Sequence, residues 1–131
     1  MTLAVLRLID IVSGRILLDD IDLATIQGSV VRERLVCLTQ DPFLFSGSVR
    51  LNINPLSTVS DDSCVSALQR VGLWEALKSK VTSPSSSDAP CVLDARMCIE
   101  MLSHGQRQLF CLARAMLQPG KVLILDEPTS R

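Results

Sequence analysis

The feature that most limits the fold is a four-residue apolar run, Val122–Leu125 (VLIL), that ends directly in Asp126, Glu127 and Pro128. Apolar continuity, in place of apolar–polar alternation, marks a strand covered on both faces, as in the parallel sheets of α/β domains. A second run of this kind, Leu35–Leu38 (LVCL), ends in Thr39-Gln40-Asp41-Pro42. Together they predict an α/β domain with at least two buried strands. With 131 residues the chain is long enough for one domain and too short for two.

In open α/β sheets ligands lie beyond the carboxyl ends of the strands. Asp126 would then emerge where the Mg²⁺ of a nucleotide sits, and Glu127 is placed to polarise an attacking water as general base. A strand that merely ends in two solvated acids has the same sequence, and at this point both readings stand. The run Leu102-Ser103-His104-Gly105-Gln106 is similarly two-sided. Ser103 is a natural helix N-cap, and exposed amides at a helix start beside a small Gly form an anion site. The same residues also suit a capped helix with no ligand.

The remaining pattern is helical between the two strands. Thr2–Leu8 has helix-forming residues without a start signal and predicts the tail of a helix. Arg15–Leu23 predicts two short strands joined at Asp19-Asp20. Val30–Arg34 is expected to be a short polar connection. Ser60–Lys80 spaces Val65, Leu68, Val71, Leu73, Trp74 and Leu77 for one or two amphipathic helices broken at Gly72. Ser83–Pro90 is expected to be a loop. Leu109, Leu112, Ala113, Met116 and Leu117 form an apolar helical face after Ser103, and Pro119-Gly120 stops that helix.

Composition removes several classes. The net charge of -1 argues against a nucleic-acid partner, which would call for a basic face. No stretch approaches the roughly 18 apolar residues of a membrane span. Thr2–Val12 is interrupted by Arg7 and Asp10 and lacks a small-residue cleavage site, so it is not a signal peptide. The five cysteines, Cys37, Cys64, Cys91, Cys98 and Cys111, contain no CxxC pair and are expected to be reduced and mostly buried.

Taken in order and spacing, LSHGQ, the helical pattern after it and VLILDEPTS resemble the signature and Walker B motifs of the ATP-binding-cassette (ABC) family. Gln40 resembles the Q-loop glutamine of that family. The wider run Gln40–Pro55 (QDPFLFSGSVRLNINP) is similar to the same region of subfamily C exporters, and LSxGQ with a Walker B glutamate resembles their second nucleotide-binding domain. The resemblance covers Leu3 to Ser130.

This resemblance implies a P-loop NTPase fold with three parts: residues 1–40 as a core piece up to the Q-loop, 41–118 as the helical subdomain with the signature helix, and 119–131 as the Walker B strand. It implies ATP and Mg²⁺ as cofactors, with Asp126 and Gln40 on the metal and Glu127 as base, assisted by Gln40. Ser103, Gly105 and Gln106 would meet the γ-phosphate of ATP held by a second nucleotide-binding domain in a head-to-tail dimer. Transmembrane domains of an exporter would be the other partners, which places the domain at the cytoplasmic face of a membrane.

The P-loop itself, GxxxxGK followed by Ser or Thr, does not occur among the six glycines. Only Gly120-Lys121 gives a GK pair, and Val122 follows it. The sole histidine is His104, within the signature, and no Tyr is present to stack on adenine. The resemblance therefore implies a partial domain without its P-loop strand and C-terminal strands. Loss of a single preorganised donor typically costs about 10²–10³-fold in rate. The chain as written is accordingly expected to hydrolyse ATP no faster than buffer and, with LVCL and VLIL left with unpaired edges, to be poorly soluble. Met97–Met101 (MCIEM) departs from the glycines usual before the signature. A soluble cassette ATPase and a non-catalytic half-cassette that pairs with a complete partner are the competing classes.

Overall fold

A computed structural model describes residues 2–38, 41–81 and 89–125. In chain order the elements are α1 (Thr2–Val5), β1 (Leu17–Leu18), β2 (Ile21–Asp22), α2 (Gly28–Arg34), β3 (Leu35–Leu38), β4 (Gly47–Ser48), α3 (Val49–Ile53), α4 (Asp61–Arg70), α5 (Trp74–Val81), α6 (Ala89–Asp94), β5 (Arg96–Met97), α7 (His104–Met116) and β6 (Val122–Leu125). Short 3₁₀ turns lie at Leu23–Thr25 and Ile99–Met101. The chain divides into two compact units, Met1–Thr39 with Pro119–Arg131, and Gln40–Gln118.

The first unit is built on β3 and β6, which run parallel with Leu35 beside Val122 and Leu38 beside Leu125. Both apolar runs are thus strands, as their sequences predict. Their burial is less complete than apolar continuity suggests: Leu123 and Leu125 are 48% and 53% exposed. The sheet has two strands among the described residues, and these residues leave the β6 face that carries Leu123 and Leu125 uncovered. Its small core joins Leu23, Val31 and Leu35, with Ile16, Ile26, Val122 and Ile124 packed against them. The β1–β2 hairpin turns at Asp19 and Asp20, at φ 49° and 62°. Left-handed backbone at both turn residues matches the strand twist, and Asp tolerates it better than most residues.

Two expectations fail in this unit and its neighbour. Val30–Arg34 is the body of α2 and not a polar connection. Val31 is 3% exposed, so one apolar face of this polar stretch finds the core and decides the conformation. The cysteines are not mostly buried either. Of those whose side chains are described, Cys64 is buried, Cys37 and Cys111 are half-buried and Cys98 is exposed.

In the second unit, helices close around Leu68, Leu73, Leu77, Val92, Leu93 and Phe110, each at most 2% exposed. α4 starts at the Ser60 cap, whose hydroxyl accepts from the Ser63 N–H. It ends at Gly72, whose φ of 74° lets Leu73 N–H return to Leu68 C=O and Gly72 N–H to Gln69 C=O. This is the glycine-dependent helix stop of the Schellman type, and it is why Gly72 separates α4 from α5. β4 and β5 pair antiparallel, with Gly47 opposite Met97. Arg50 bridges Asp61 and Asp94 and so ties α3 to both α4 and α6. The expected loop Ser83–Pro90 lies outside the described residues up to Asp88, while Ala89 and Pro90 open α6. A proline in a first helical turn loses no hydrogen bond.

Candidate functional site

The signature region is organised by the N-terminus of α7. The turn before it is anchored by Leu102, 3% exposed, and by Lys80 Nζ, which donates to the Met101 carbonyl. Ser103 then leaves extended backbone at φ −62° and ψ 164° and caps the helix. Its hydroxyl accepts from Gln106 N–H at 3.3 Å, and Gln106 Oε1 accepts from Ser103 N–H at 3.1 Å. This reciprocal capping box satisfies two of the donors that a helix start leaves over. The N–H groups of His104 and Gly105 have no partner among the described residues.

Ser103, His104 and Gly105 are exposed, and Gln106 is half-buried. Gly105 has helical backbone, where glycine costs about 1 kcal/mol against alanine. A methyl group placed on it would meet no described atom within 4 Å beyond its chain neighbours and its own helix backbone. The fold therefore has no use for a glycine at this position. Two free amides, positive helix-end potential and a missing side chain form a surface that an anion can approach closely. Gly120 differs, because a methyl group there would collide with the Val36 side chain and press on the Arg34 carbonyl.

Gln40, Asp126 and Glu127 lie outside the described residues. The strands that precede them end level with each other, Leu38 beside Leu125 in parallel register. Among the described residues no group of His, Cys, Asp and Glu is arranged to hold a metal. The structure thus brings Ser103, Gly105 and Gln106 together on one helix turn.

The model for the ABC transporter family matches residues 2–130. The chain belongs to the ABC transporter family. Among relatives, an ABC-type transporter of Gibberella zeae is 41% identical over 124 residues, 95% of this chain and 8% of that protein. ABC transporter atnG of Emericella nidulans is 38% identical over 133 residues, 97% of this chain and 8% of that protein. ATP-binding cassette sub-family C member 8 of Rattus norvegicus is 40% identical over 131 residues, 98% of this chain and 8% of that protein. The chain spans about 8% of the length of these relatives. Membership in the ABC transporter family implies the α/β fold of P-loop NTPases. No described helix is long and apolar enough to cross a membrane.

Two residues that motif reading passes over stand out in this ABC transporter segment. Arg114, on α7, donates from Nε to the Asn52 carbonyl at 2.6 Å and from Nη1 to the Phe43 carbonyl at 3.1 Å. Burial pushes its pKa down from the usual arginine value. Asn52 is fully buried and holds Phe45 from both sides: its Nδ2 donates to the Phe45 carbonyl and its Oδ1 accepts from the Phe45 N–H. The available signal was polarity out of place, an Asn within VRLNI and an Arg within LARAM. The buried face of α7 also differs from its expected composition. Phe110 and Ala113 are fully buried, whereas Leu109 and Met116 are 40% and 38% exposed. Helical spacing from Phe110 to Ala113 and Leu117 selects a stripe rotated from the one the leucines suggest.

Proposed function

We propose that the chain is the signature-bearing segment of an ATP-hydrolysing nucleotide-binding domain of an ABC exporter, of the subfamily C type and similar to its second domain. The observation that carries this reading is Gly105, which the helix does not need and which a close-approaching phosphate does. His104 and Gly105 amides, with the Ser103 hydroxyl, receive the γ-phosphate of ATP held by the P-loop of a second nucleotide-binding domain. Gln106 locks the cap in the receiving geometry. Such contacts act where charge develops during phosphoryl transfer, and preorganised donors lower its barrier.

The level register of β3 and β6 supports roles for the residues that follow them in sequence. Asp126 and Gln40 supply hard oxygen donors, the type that suits Mg²⁺. Mg²⁺, when bound, neutralises phosphate charge. Glu127 orients and deprotonates the attacking water, and Gln40 links nucleotide state to the transmembrane domains. The whole transporter moves its cargo across a membrane, with this segment on the cytoplasmic side.

The test is recovery of the 131-residue chain on an immobilised complete ABC nucleotide-binding domain that carries a P-loop, with and without Mg²⁺-ATP. We expect pairing that depends on ATP. Ser103→Asp keeps a good N-cap and adds a charge that repels phosphate, while Gly105→Ala fills the approach and favours the helix. Each should weaken pairing about 10- to 100-fold, the value of one or two charge-assisted hydrogen bonds, with the helical circular dichroism unchanged. Equal recovery with and without ATP would sink the reading.

A further inference from the structure

Arg114 is an unusual arginine for a helix that packs into a core. Both of its hydrogen-bond acceptors are main-chain carbonyls, Phe43 and Asn52, at two points of one segment. Its guanidinium also lies over the Phe45 ring, 5.4 Å from the centroid. No carboxylate among the described residues pairs with it, in contrast to Arg50, which holds Asp61 and Asp94. Its Nη2 is buried and has no partner among the described residues. A charge desolvated in this way costs more than an apolar side chain of the same volume would. Packing alone gives no reason for an arginine here.

What the arginine does that an apolar residue cannot is hold the segment by its backbone. Asn52 fastens the Phe45 peptide, and Arg114 fastens the carbonyls on either side, of Phe43 and of Asn52 itself. Cys111, one turn before Arg114, places its thiol 3.8 Å from the same Phe43 carbonyl. Phe43 and Phe45 remain 64% and 41% exposed, so the grip is on main chain and not on side-chain burial. The segment begins three residues after Gln40, and α7 begins at the Ser103 cap.

We propose that Arg114 is a positioning residue that makes the Phe43–Asn52 segment and the Ser103-capped helix hold one another in register, so that displacement of either is passed to the other. This inference rests on the reading above, in which Gln40 and Ser103 belong to one nucleotide-responsive machine. A planar fork that spans two carbonyls suits the task, and a lysine ammonium, a single point donor, does not.

The experiment compares Arg114→Met and Arg114→Lys with the unsubstituted chain by amide hydrogen exchange and by ATP-dependent pairing. Phe45 N–H, bonded to Asn52 Oδ1, is the local probe, and Leu77 N–H, bonded to Leu73 C=O in α5, is the control. Met fills the space without a charge, so it leaves the thermal midpoint read by Trp74 unchanged or higher. Both variants should exchange the Phe45 amide roughly tenfold faster or more, leave Leu77 unchanged, and lose roughly tenfold in pairing affinity. Unchanged Phe45 exchange overturns the proposal. So does equal acceleration at Leu77, which would mean a general packing role, and so does fast Phe45 exchange with pairing intact. If the unsubstituted chain itself fails to pair with ATP present, the function reading falls, and the coupling role falls with it.

Discussion

The two units of the chain bury their apolar residues to very different degrees. Gln40–Gln118 surrounds Ile53, Leu68, Leu77, Val92 and Phe110 until each is at most 1% exposed. Among the described residues, the unit formed by Met1–Thr39 and Pro119–Arg131 buries four apolar residues, Leu23, Val31, Leu35 and Val36, and leaves Leu17, Ile21, Leu123 and Leu125 about half exposed. The difference follows from the elements. Amphipathic helices close in sequence cover one another, and α3 to α7 do so. A parallel strand needs a neighbour on each edge and a layer on each face, all supplied by distant sequence. The two described strands supply neither, and a two-stranded sheet is marginal by itself. The signature helix α7 therefore sits on the well-packed unit, and the strand that leads to the carboxylates sits on the sparsely packed one.

The strongest way to break this comparison is to make the same kind of deletion in both units. Phe110→Ala removes a fully buried ring from the helical core and should cost about 3–5 kcal/mol. Leu123→Ala removes a side chain that is 48% exposed and should cost less than about 1 kcal/mol. Trp74, the only tryptophan and 7% exposed, reports the helical unit in a denaturant titration followed by fluorescence. A midpoint lowered as much by Leu123→Ala as by Phe110→Ala would show that the two units do not differ in this way.

A second substitution probes a place where the sparse unit is tightly packed. Gly120 lies against Val36 and the Arg34 carbonyl, and the Lys121 N–H donates to that same carbonyl at 3.0 Å. Valine is stiff at its first side-chain torsion, so the new methyl must push backbone apart. Gly120→Ala should cost about 1–3 kcal/mol, visible as faster amide exchange along Leu35–Leu38. The Trp74 transition should stay where it is. Protection unchanged along β3 would mean that β3 and β6 do not meet as closely as Gly120 requires.

These contrasts also explain what could be read from sequence. VLIL and LVCL declared their strands because apolar continuity has few other uses at that length. Ser60, Gly72 and Ser103 declared helix boundaries through local chemistry, each later seen as a hydrogen bond or a positive φ. Reasoning from polarity failed at Val30–Arg34, because one valine, Val31, in contact with a core drawn from distant sequence made a polar stretch helical. The Asn52–Arg114 linkage joins positions 62 residues apart, and no local pattern encodes such a distance. The candidate site divides along the same line. Ser103, Gly105 and Gln106 lie within one helix turn, so the cap they build could be read from local sequence. The residues around Phe43 that steady the same helix come from tertiary packing and were not.

The smallest effect sharpens what holds the helical unit together. Ser60 caps α4 through a 3.4 Å bond to Ser63 N–H, and its hydroxyl also meets the Ser63 hydroxyl at 3.0 Å. Asp61 and Asp62 in the first turn favour the same helix end electrostatically, and Arg50 holds Asp61 in place. With that support, Ser60→Ala should cost about 0.5–1 kcal/mol, at the low end for a lost cap. The Trp74-reported midpoint would fall by a small fraction of the shift caused by Phe110→Ala. A shift of equal size from the two substitutions would place the stability of this unit in its helix ends, whereas the predicted ratio places it in the burial of Leu68, Leu77 and Phe110.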